Sequence, residues 1–375
     1  MRVIKIALTG GPAGGKTSVL KAINALVENK EDSDYKNIIY LNDTKIKLIT
    51  IPETATELIS NGITPVEAKS VYDFQNILFA IQKSKESNAL QTVKFGYDVD
   101  VCLFIYDRGL LDGRAYLNNK DEFNCIVAEN DMKELEILDN YDLVIDLLST
   151  ATCAPKKYNL GSNKARFEDV EWAKSIDNLT STAWAGHRNL KLFSSDMPFK
   201  DEIEEVIKYI KSYITYGVEN NQISYLIEND YDVFAKYTDE FSRRINVTKT
   251  YIDFGFTSTM NTALVKRTYK GCTTYFLQVS EKNNRIIKDE KIDEITYEIL
   301  SNRYDVIKEI EKEELSFVEN GHLFKVSFYD DFTTLEVDKD DKRSIMELPE
   351  GIKIIEKLDD SLDKLSKSKQ KVLKK

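Results

Sequence analysis

The chain is 375 residues long, enough for two domains, and its 42% hydrophobic and 31% charged residues are those of a globular protein, not of a disordered or collagen-like one. Acidic residues outnumber basic ones 63 to 52. Residues 361–375 hold six Lys against one Asp, so the 360 residues before them carry a formal charge of −16. A body so acidic argues against general affinity for nucleic acid, which needs a net basic face, but leaves room for small phosphorylated ligands in a local pocket.

In chain order, Val3 to Leu8 is a short apolar run without helical spacing and predicts a buried strand. Thr17 to Glu28 places Val19, Leu20, Ile23, Leu26 and Val27 on one helical face. Strand-like runs follow at 38–40, 46–51, 101–106, 143–148 and 190–193, with helices over 71–85 and 203–213. Strands alternating with helices predict a parallel sheet covered on both faces. After about residue 217 the pattern turns to period two. Strands are predicted over 264–269, 274–279, 324–328, 333–337 and 352–355, mostly antiparallel, while 304–317 fits helix and strand about equally. The predicted organisation is therefore 1–216, 217–360 and a disordered Lys-rich tail over 361–375.

Cys102, Cys125, Cys153 and Cys272 have no CxxC spacing and only two His accompany them, so no structural zinc site is read. Three of them sit in or near apolar runs and are expected to be buried free thiols, and a reducing, cytoplasmic setting is expected. No apolar stretch approaches the roughly 20 residues that span a bilayer.

The most specific signal is Gly10-Gly11-Pro12-Ala13-Gly14-Gly15-Lys16-Thr17, followed by Ser18. It satisfies G-x-x-x-x-G-K-[ST] between a predicted strand and a predicted helix, the setting of a phosphate-binding loop. Backbone N–H groups must turn inward around phosphate oxygens, which glycine permits. The following helix adds the positive end of its dipole. Lys16 is expected to reach the β- and γ-phosphates, and Thr17 to ligand Mg²⁺.

Further candidates sit at strand ends, where ligands of open parallel sheets gather. Asp107 and Arg108 follow 101–106: Asp107 is a candidate Mg²⁺ ligand or a helix cap, and Arg108 a phosphate contact. Glu53 follows 46–51 and either orients and deprotonates a phosphate acceptor or favours a helix dipole. Asn163, Lys164 and Arg166 lie in a polar stretch, and a cation there would neutralise a transferring phosphoryl group or simply be solvated. His187, beside Trp184, reads as packing rather than as a base, and Gln75 and Gln82 share a helical face that meets an acceptor or solvent.

Together with Ile51-Pro52-Glu53-Thr54-Ala55-Thr56-Glu57-Leu58, Tyr106-Asp107-Arg108-Gly109-Leu110-Leu111-Asp112 and Tyr141-Asp142-Leu143-Val144-Ile145, the loop resembles the NadR-like P-loop domain, in the form found in the TRPL-translocation-defect proteins with a second domain of the CYTH (triphosphate-tunnel) type. The resemblance implies an α/β P-loop sheet flanked by helices, followed by an α+β, CYTH-like antiparallel β-barrel. For the first domain it implies a nucleoside-kinase-like site binding ATP, or GTP, with Mg²⁺. For the second it implies a tunnel in which Lys266, Arg267, Lys282, Arg285, Lys312 and Lys325 are candidates to hold phosphate, and Glu336, Asp338 and Glu356 a metal, each charge otherwise lying on a solvated barrel exterior. Ser224-Tyr225-Leu226-Ile227-Glu228-Asn229 departs from the E-x-E-x-K opening of hydrolytic CYTH domains, which argues against two-metal hydrolysis.

The expected function is transfer of the γ-phosphoryl group to a small nucleoside-like acceptor, with Lys16, Glu53, Asp107, Arg108 and Arg166 in the site. The alternative is a nucleotide-controlled binding protein whose second domain takes a phosphoinositide headgroup or polyphosphate, with the Lys-rich tail assisting at an anionic membrane surface. Triphosphate hydrolysis by the second domain is the least expected.

Overall fold

The apolar run interrupted by glycines becomes the strand on which the first sheet is built. In the computed structural model the residues described are 1–27, 36–153, 170–194, 198–219, 221–238, 242–255, 259–282, 285–339 and 348–358. They fall into two units, Met1–Thr215 and Tyr216–Lys375.

The first unit runs β1 (Arg2–Thr9), α1 (Lys16–Asn24), β2 (Ile38–Leu41), β3 (Thr44–Ile51), α2 (Thr54–Ser60), α3 (Val71–Gln91), β4 (Val101–Asp107), α4 (Lys120–Glu129), α5 (Glu134–Leu138), β5 (Leu143–Leu147), α6 (Thr150–Cys153), α7 (Val170–Trp184), β6 (Leu190–Phe193) and α8 (Phe199–Tyr216). The sheet order is β2-β3-β4-β1-β5-β6. All neighbours are parallel except β2 and β3, an antiparallel hairpin at one edge. Alternate residues explain the two covered faces. Ile4, Ile6 and Leu8 of β1, Leu103 and Ile105 of β4 and Leu143 and Ile145 of β5 pack with Val19 and Ile23 of α1 and Val206, Ile210 and Ile214 of α8. Tyr106 meets Tyr141 edge-on at 5.5 Å, and Tyr141 meets Trp184 at 5.3 Å. Helix α1 ends four residues earlier than its apolar spacing predicts, because Leu26 and Val27 reach the same core through tight turns onto Ile23 and Asn24. Helix α3 continues six residues beyond the predicted end.

The second unit contains β7 (Gln222–Ile227), α9 (Tyr231–Lys236), β8 (Arg243–Ile252), β9 (Met260–Tyr269), β10 (Cys272–Glu281), β11 (Ile286–Ile292), α10 (Glu294–Arg303), β12 (Val306–Glu319), β13 (His322–Phe328), β14 (Thr333–Asp338) and β15 (Ile354–Leu358). It is one nine-stranded antiparallel sheet, in the order β11-β10-β9-β8-β12-β13-β14-β7-β15, and among the described residues no ladder joins the two edge strands. The segment 304–317, open to either reading from its sequence, is strand. Its odd residues Leu315 and Phe317 join Phe324, Val326, Leu335, Val337, Tyr225 and Ile227 in a core capped by Phe234 of α9. Its even residues Lys312, Glu314 and Ser316 are polar and take the opposite face, as the two-residue period of a strand requires. The hairpin that follows turns at Asn320-Gly321, with φ of 53° and 78°, the left-handed pair that a two-residue turn between twisted strands demands.

Of the four cysteines, none of which forms a disulfide, Cys102 and Cys272 are buried, Cys153 is half-buried and Cys125 is exposed. Cys125 lies on the solvent side of the amphipathic α4, whose Phe123 and Ile126 turn inward. The Lys-rich segment 361–375 lies outside the described residues. No helix among the described residues is long and apolar enough to cross a membrane.

Leu315 is fully buried in the second unit's core. Leu315→Ala is expected to lower the unfolding free energy by about 3 kcal/mol through lost transfer energy and a residual cavity, as read from urea unfolding of the full chain. A loss under about 1 kcal/mol would show that this core is not packed as described.

Candidate functional site

The loop between β1 and α1 is shaped by close backing. A Cβ at Gly10 or at Gly14 would lie 2.1 Å from the Leu147 carbonyl oxygen at the end of β5. Gly10 (φ 125°) and Gly15 (φ 88°) also take conformations that favour glycine. The Gly11 N–H donates to Asp177 Oδ1 of α7 at 2.8 Å, and Asp177 also accepts the Ser149 N–H at 3.0 Å and the Thr152 hydroxyl at 2.5 Å. The Ser149 hydroxyl donates to the Pro12 carbonyl at 2.5 Å. The loop is thus held on its outer side by β5, the turn after it, and α7.

Lys16 Nζ folds back onto the Gly10 and Gly11 carbonyls at 2.7 and 2.9 Å. Burial, then the Arg108 charge, brings its pKa down to about 8, against the pull of Asp112, Glu53 and Asp107. Thr17 is exposed at the start of α1, and Ser18 follows half-buried. Arg108, directly after β4, has φ 72°. Its Nε donates to Glu53 Oε1 at 2.5 Å, and its Nη1 to Asp112 Oδ2 at 3.1 Å and the Gly10 carbonyl at 3.3 Å. Asp112 also accepts the Thr9 hydroxyl and the Trp184 indole N–H. Burial acts to raise Glu53, but the Arg108 charge and the hydrogen bond from Thr56 outweigh it and hold the carboxyl below its ordinary range. Burial and the neighbouring Glu53 charge push Asp107 up to about 6. Glu53, Asp107, Arg108 and Lys16 are therefore one electrostatic cluster around the loop.

The donor set fits a nucleotide with Mg²⁺. Thr17 presents a hydroxyl and Asp107 a strand-end carboxylate, the hard oxygen ligands that Mg²⁺ takes. The N-terminus of α1, directly after the loop, suits phosphate.

Beside Glu53 and Arg108 lies a cavity of about 360 Å³. Phe74, Phe79 and Phe123 form apolar walls, while Gln75 and Tyr116 add polar groups. Gln75 is 8% exposed, and its Oε1 would lie 2.8 Å from a Cβ at Gly113. Gln82 also lines this cavity but is taken up by protein partners: it accepts from the Thr54 hydroxyl and donates to Glu86 at 2.9 Å. His187 is buried, with Nε2 2.9 Å from the Tyr141 carbonyl and Nδ1 accepting the Asn189 N–H at 3.1 Å. It packs and caps. Asn163, Lys164 and Arg166 lie outside the described residues.

Asp146 and Asp177 were not singled out from sequence. Asp146 interrupts the apolar run 143–148 from within, unlike Asp107, which ends that of β4, so the strand-end signal did not mark it; Asp177 lies mid-helix with no local mark. Asp146 is fully buried, and among the described residues neither of its oxygens accepts a hydrogen bond of ordinary geometry.

In the second unit, cross-strand partners place Arg267, Lys312, Lys325 and Glu336 on the same face of the sheet. Glu314 sits among them, although 304–317 has no single period by which the sequence would mark it. Its carboxylate meets Lys312 at 2.9 Å and Lys325 at 3.7 Å. Burial alone would raise Glu314, yet Lys312, Lys325 and Arg267 hold it far below its ordinary range. Lys312 also donates to the Ser327 hydroxyl at 3.0 Å. The remaining candidates do not converge. Lys266 is exposed on the opposite face, one residue out of phase with Arg267, and Lys282 and Glu356 are exposed. Arg285 meets Glu219 at 3.4 Å and stacks on Tyr216. Asp338 lies two residues along from Glu336, half-buried. Among the described residues no three His, Cys, Asp or Glu side chains cluster closely enough to hold a metal.

Burial, then the Asp177 charge, pushes Asp146 up from 3.8 to about 8. A carboxyl so raised keeps its proton in the folded state where the unfolded chain has lost it. Its contribution to stability is full below about pH 4 and is lost as pH rises through about 8. Asp146→Asn is expected to flatten that loss, leaving the variant roughly 1–3 kcal/mol less penalised than the parent between pH 5 and pH 9 in urea unfolding. Identical pH dependence in both proteins would rule out Asp146 as the cause.

Residues 5–194 match the family model AAA_28, described as an AAA domain. No curated protein matches the chain. Among solved structures, a protein of Pyrococcus horikoshii OT3 is 14% identical, with 40% of this chain and 98% of that one covered at a TM-score of 0.29. A putative adenylate cyclase from Vibrio parahaemolyticus is also 14% identical, with 39% and 95% covered at a TM-score of 0.28. The family match takes in half of the chain, including the phosphate loop and the strand ends around it, so the chain belongs to the AAA_28 family and is a P-loop NTPase-like, nucleotide-binding protein.

Proposed function

We propose that the first unit is a phosphotransferase, moving the γ-phosphoryl group of ATP, or less readily GTP, to a hydroxyl of a small nucleoside-like acceptor. The observation that carries this reading is the apolar, aromatic-walled cavity opening beside Glu53 and Arg108, next to the phosphate loop. A flat, mostly apolar ring with a few hydrogen-bonding groups suits such a cavity, and its attached sugar hydroxyl would then face Glu53. The resemblance to NadR-like domains in the phosphate loop and the Pro-Glu and Asp-Arg-Gly turns points the same way.

Lys16 exchanges the Gly10 and Gly11 carbonyls for phosphate oxygens. Thr17 and Asp107 would hold Mg²⁺, which would offset negative charge on the nucleotide's phosphates. The acceptor oxygen forms its bond to Pγ as the bond from Pγ to the β–γ bridging oxygen breaks. The hydroxyl proton passes to Glu53, and the diphosphate leaves. A Glu53 held ionised by Arg108 orients the hydroxyl and accepts its proton late, which suits the loose transition state of phosphoryl transfer. Arg108 and Arg166 offset the developing charge.

The test is transfer of label from γ-labelled ATP or GTP to a nucleoside panel that includes nicotinamide riboside. Label on one nucleoside is expected, abolished by Lys16→Ala. Glu53→Gln is expected to lose roughly 10²-fold or more in turnover while nucleotide affinity stays within about twofold. Full transfer by Glu53→Gln would remove its assigned role, and tight nucleotide binding without any transfer would remove the kinase reading.

For the second unit we propose a binding role for a phosphorylated anion, as a CYTH-like tunnel would have, under control of the nucleotide in the first. The supporting observation is four cations, Arg243, Arg267, Lys312 and Lys325, sharing a face with two carboxylates, Glu314 and Glu336. Two buried hydroxyls of that face, Ser316 and Thr334, have no hydrogen-bond partner among the described residues. In calorimetric titration with tripolyphosphate, Lys325→Ala is expected to weaken binding about tenfold, and Lys266→Ala, on the other face, to leave it unchanged. Equal effects would mean general surface attraction instead.

A further inference from the structure

One buried network in the first unit takes no direct part in phosphoryl transfer. Gln82 and Glu86 lie one turn apart on α3, each 3% exposed. Gln82 Nε2 donates to Glu86 Oε1 at 2.9 Å and, more weakly, to the Arg108 carbonyl at 3.3 Å. Gln82 Oε1 accepts from the Thr54 hydroxyl. A single amide therefore joins the turn after β3, which carries Glu53, to the turn after β4, which carries Arg108. Thr54 and the Pro52 carbonyl are held from the same helix by Lys85 Nζ at 3.1 and 2.8 Å. Behind Gln82, Glu86 also accepts from the Tyr141 hydroxyl at 2.9 and 3.0 Å, and Tyr141 in turn accepts the Leu110 N–H at 3.0 Å.

The order of donors decides what Glu86 does. A carboxylate only accepts, so an ionised Glu86 fixes the NH₂ end of Gln82 toward itself and the oxygen toward Thr54. Reversing the amide would set two acceptors face to face at Glu86. Arg108 has φ in the left-handed region, where a residue with a Cβ persists only if its surroundings hold it. The Gln82 amide on its carbonyl and the Leu8 carbonyl on its N–H, at 2.9 Å, are that hold.

We propose that Glu86 is a positioning residue: acting through Gln82, it keeps the turns bearing Glu53 and Arg108 in the geometry that lets Arg108 Nε lock onto Glu53. This rests on the roles of those two residues in the phosphotransferase reading. Glu86 titrates where the cell works, pushed up to about 7 by burial, with the hydrogen bonds from Gln82 and Tyr141 and the Lys5 charge lowering it and the Asp112 charge raising it. Tyr106 and Tyr141 are the other titratable groups that sense its charge. Because every neighbouring side chain donates to it, a protonated Glu86 needs Tyr141 or Gln82 to turn an oxygen toward its acid hydrogen, which gives up a donor bond of the present network. The network therefore loosens as pH falls through about 7.

The test follows the Arg108 Nε–H proton of the full chain by NMR, in the parent and in Glu86→Gln and Gln82→Met. In the parent, the Arg108 Nε–H is expected to be slow to exchange and to show a titration midpoint near 7, separate from that of Asp107 near 6. Glu86→Gln should abolish the midpoint near 7 and raise exchange at least tenfold. Gln82→Met should raise it as much, and the double variant no further, because the two residues act in series. Acceptor-dependent kcat should fall about tenfold in each, with nucleotide affinity unchanged. An Arg108 Nε–H that behaves alike in the parent and both folded variants overturns the proposal. If the resonance behaves as expected but the parent shows no transfer, the phosphotransferase reading fails and the positioning role stands. If Glu86→Gln does not fold, Gln82→Met, which leaves the buried carboxyl in place, decides alone.

Discussion

The phosphate loop is pressed so closely against the end of β5 that, beside the Leu147 carbonyl, neither Gly10 nor Gly14 has space for a side chain. Much of the first unit's chemistry depends on this contact. With the outer side of the loop occupied by β5, Ser149 and Asp177, its inner carbonyls meet Lys16 and Arg108. Those two cations in turn keep Glu53 ionised. A loop standing off from β5 would separate charges that now act as a cluster.

The cluster is costly to build. Asp112, Asp146 and Asp177 are buried beneath the loop, and each meets that cost differently. Asp112 is satisfied by Thr9, Trp184 and Arg108. Asp177 collects backbone and hydroxyl donors. Asp146 has neither, and keeps its proton instead. Burial raises both Asp146 and Asp177, but on Asp177 the donors from Thr152, Ser149 and Gly11 oppose it.

The glycine spacing and the strand ends made the nucleotide loop, Glu53, Asp107 and Arg108 legible in advance, because each depends on local order along the chain. The resemblance offered Arg267, Lys312, Lys325 and Glu336, which the sheet brings to one face, together with Lys266, which lies on the other, since alternation says which residues share a face and not which face is inside. Glu314 escaped because Ile307, Ile310 and Leu315 admit a helix. Asn320-Gly321, a hairpin signal two residues past Val318, was the local feature able to settle 304–317 as strand. Asp177 and the Gln82–Glu86 pair owe their importance to contacts across the fold, with Gly11, Thr54, Arg108 and Tyr141, and no local pattern marks such partners.

Strand β12 carries two incompatible environments on one backbone. Leu315 and Phe317 are packed under Phe234, and one residue away Lys312, Glu314 and Ser316 line the charged face. Losing or gaining a single residue within it would exchange the two sets, driving an ion pair into the aromatic core and aromatic rings among lysines. Length drift in this strand is therefore closed to the protein even where substitution is open. Its pairings with β8 and β13 would be the part of the second unit where related chains can be aligned without gaps.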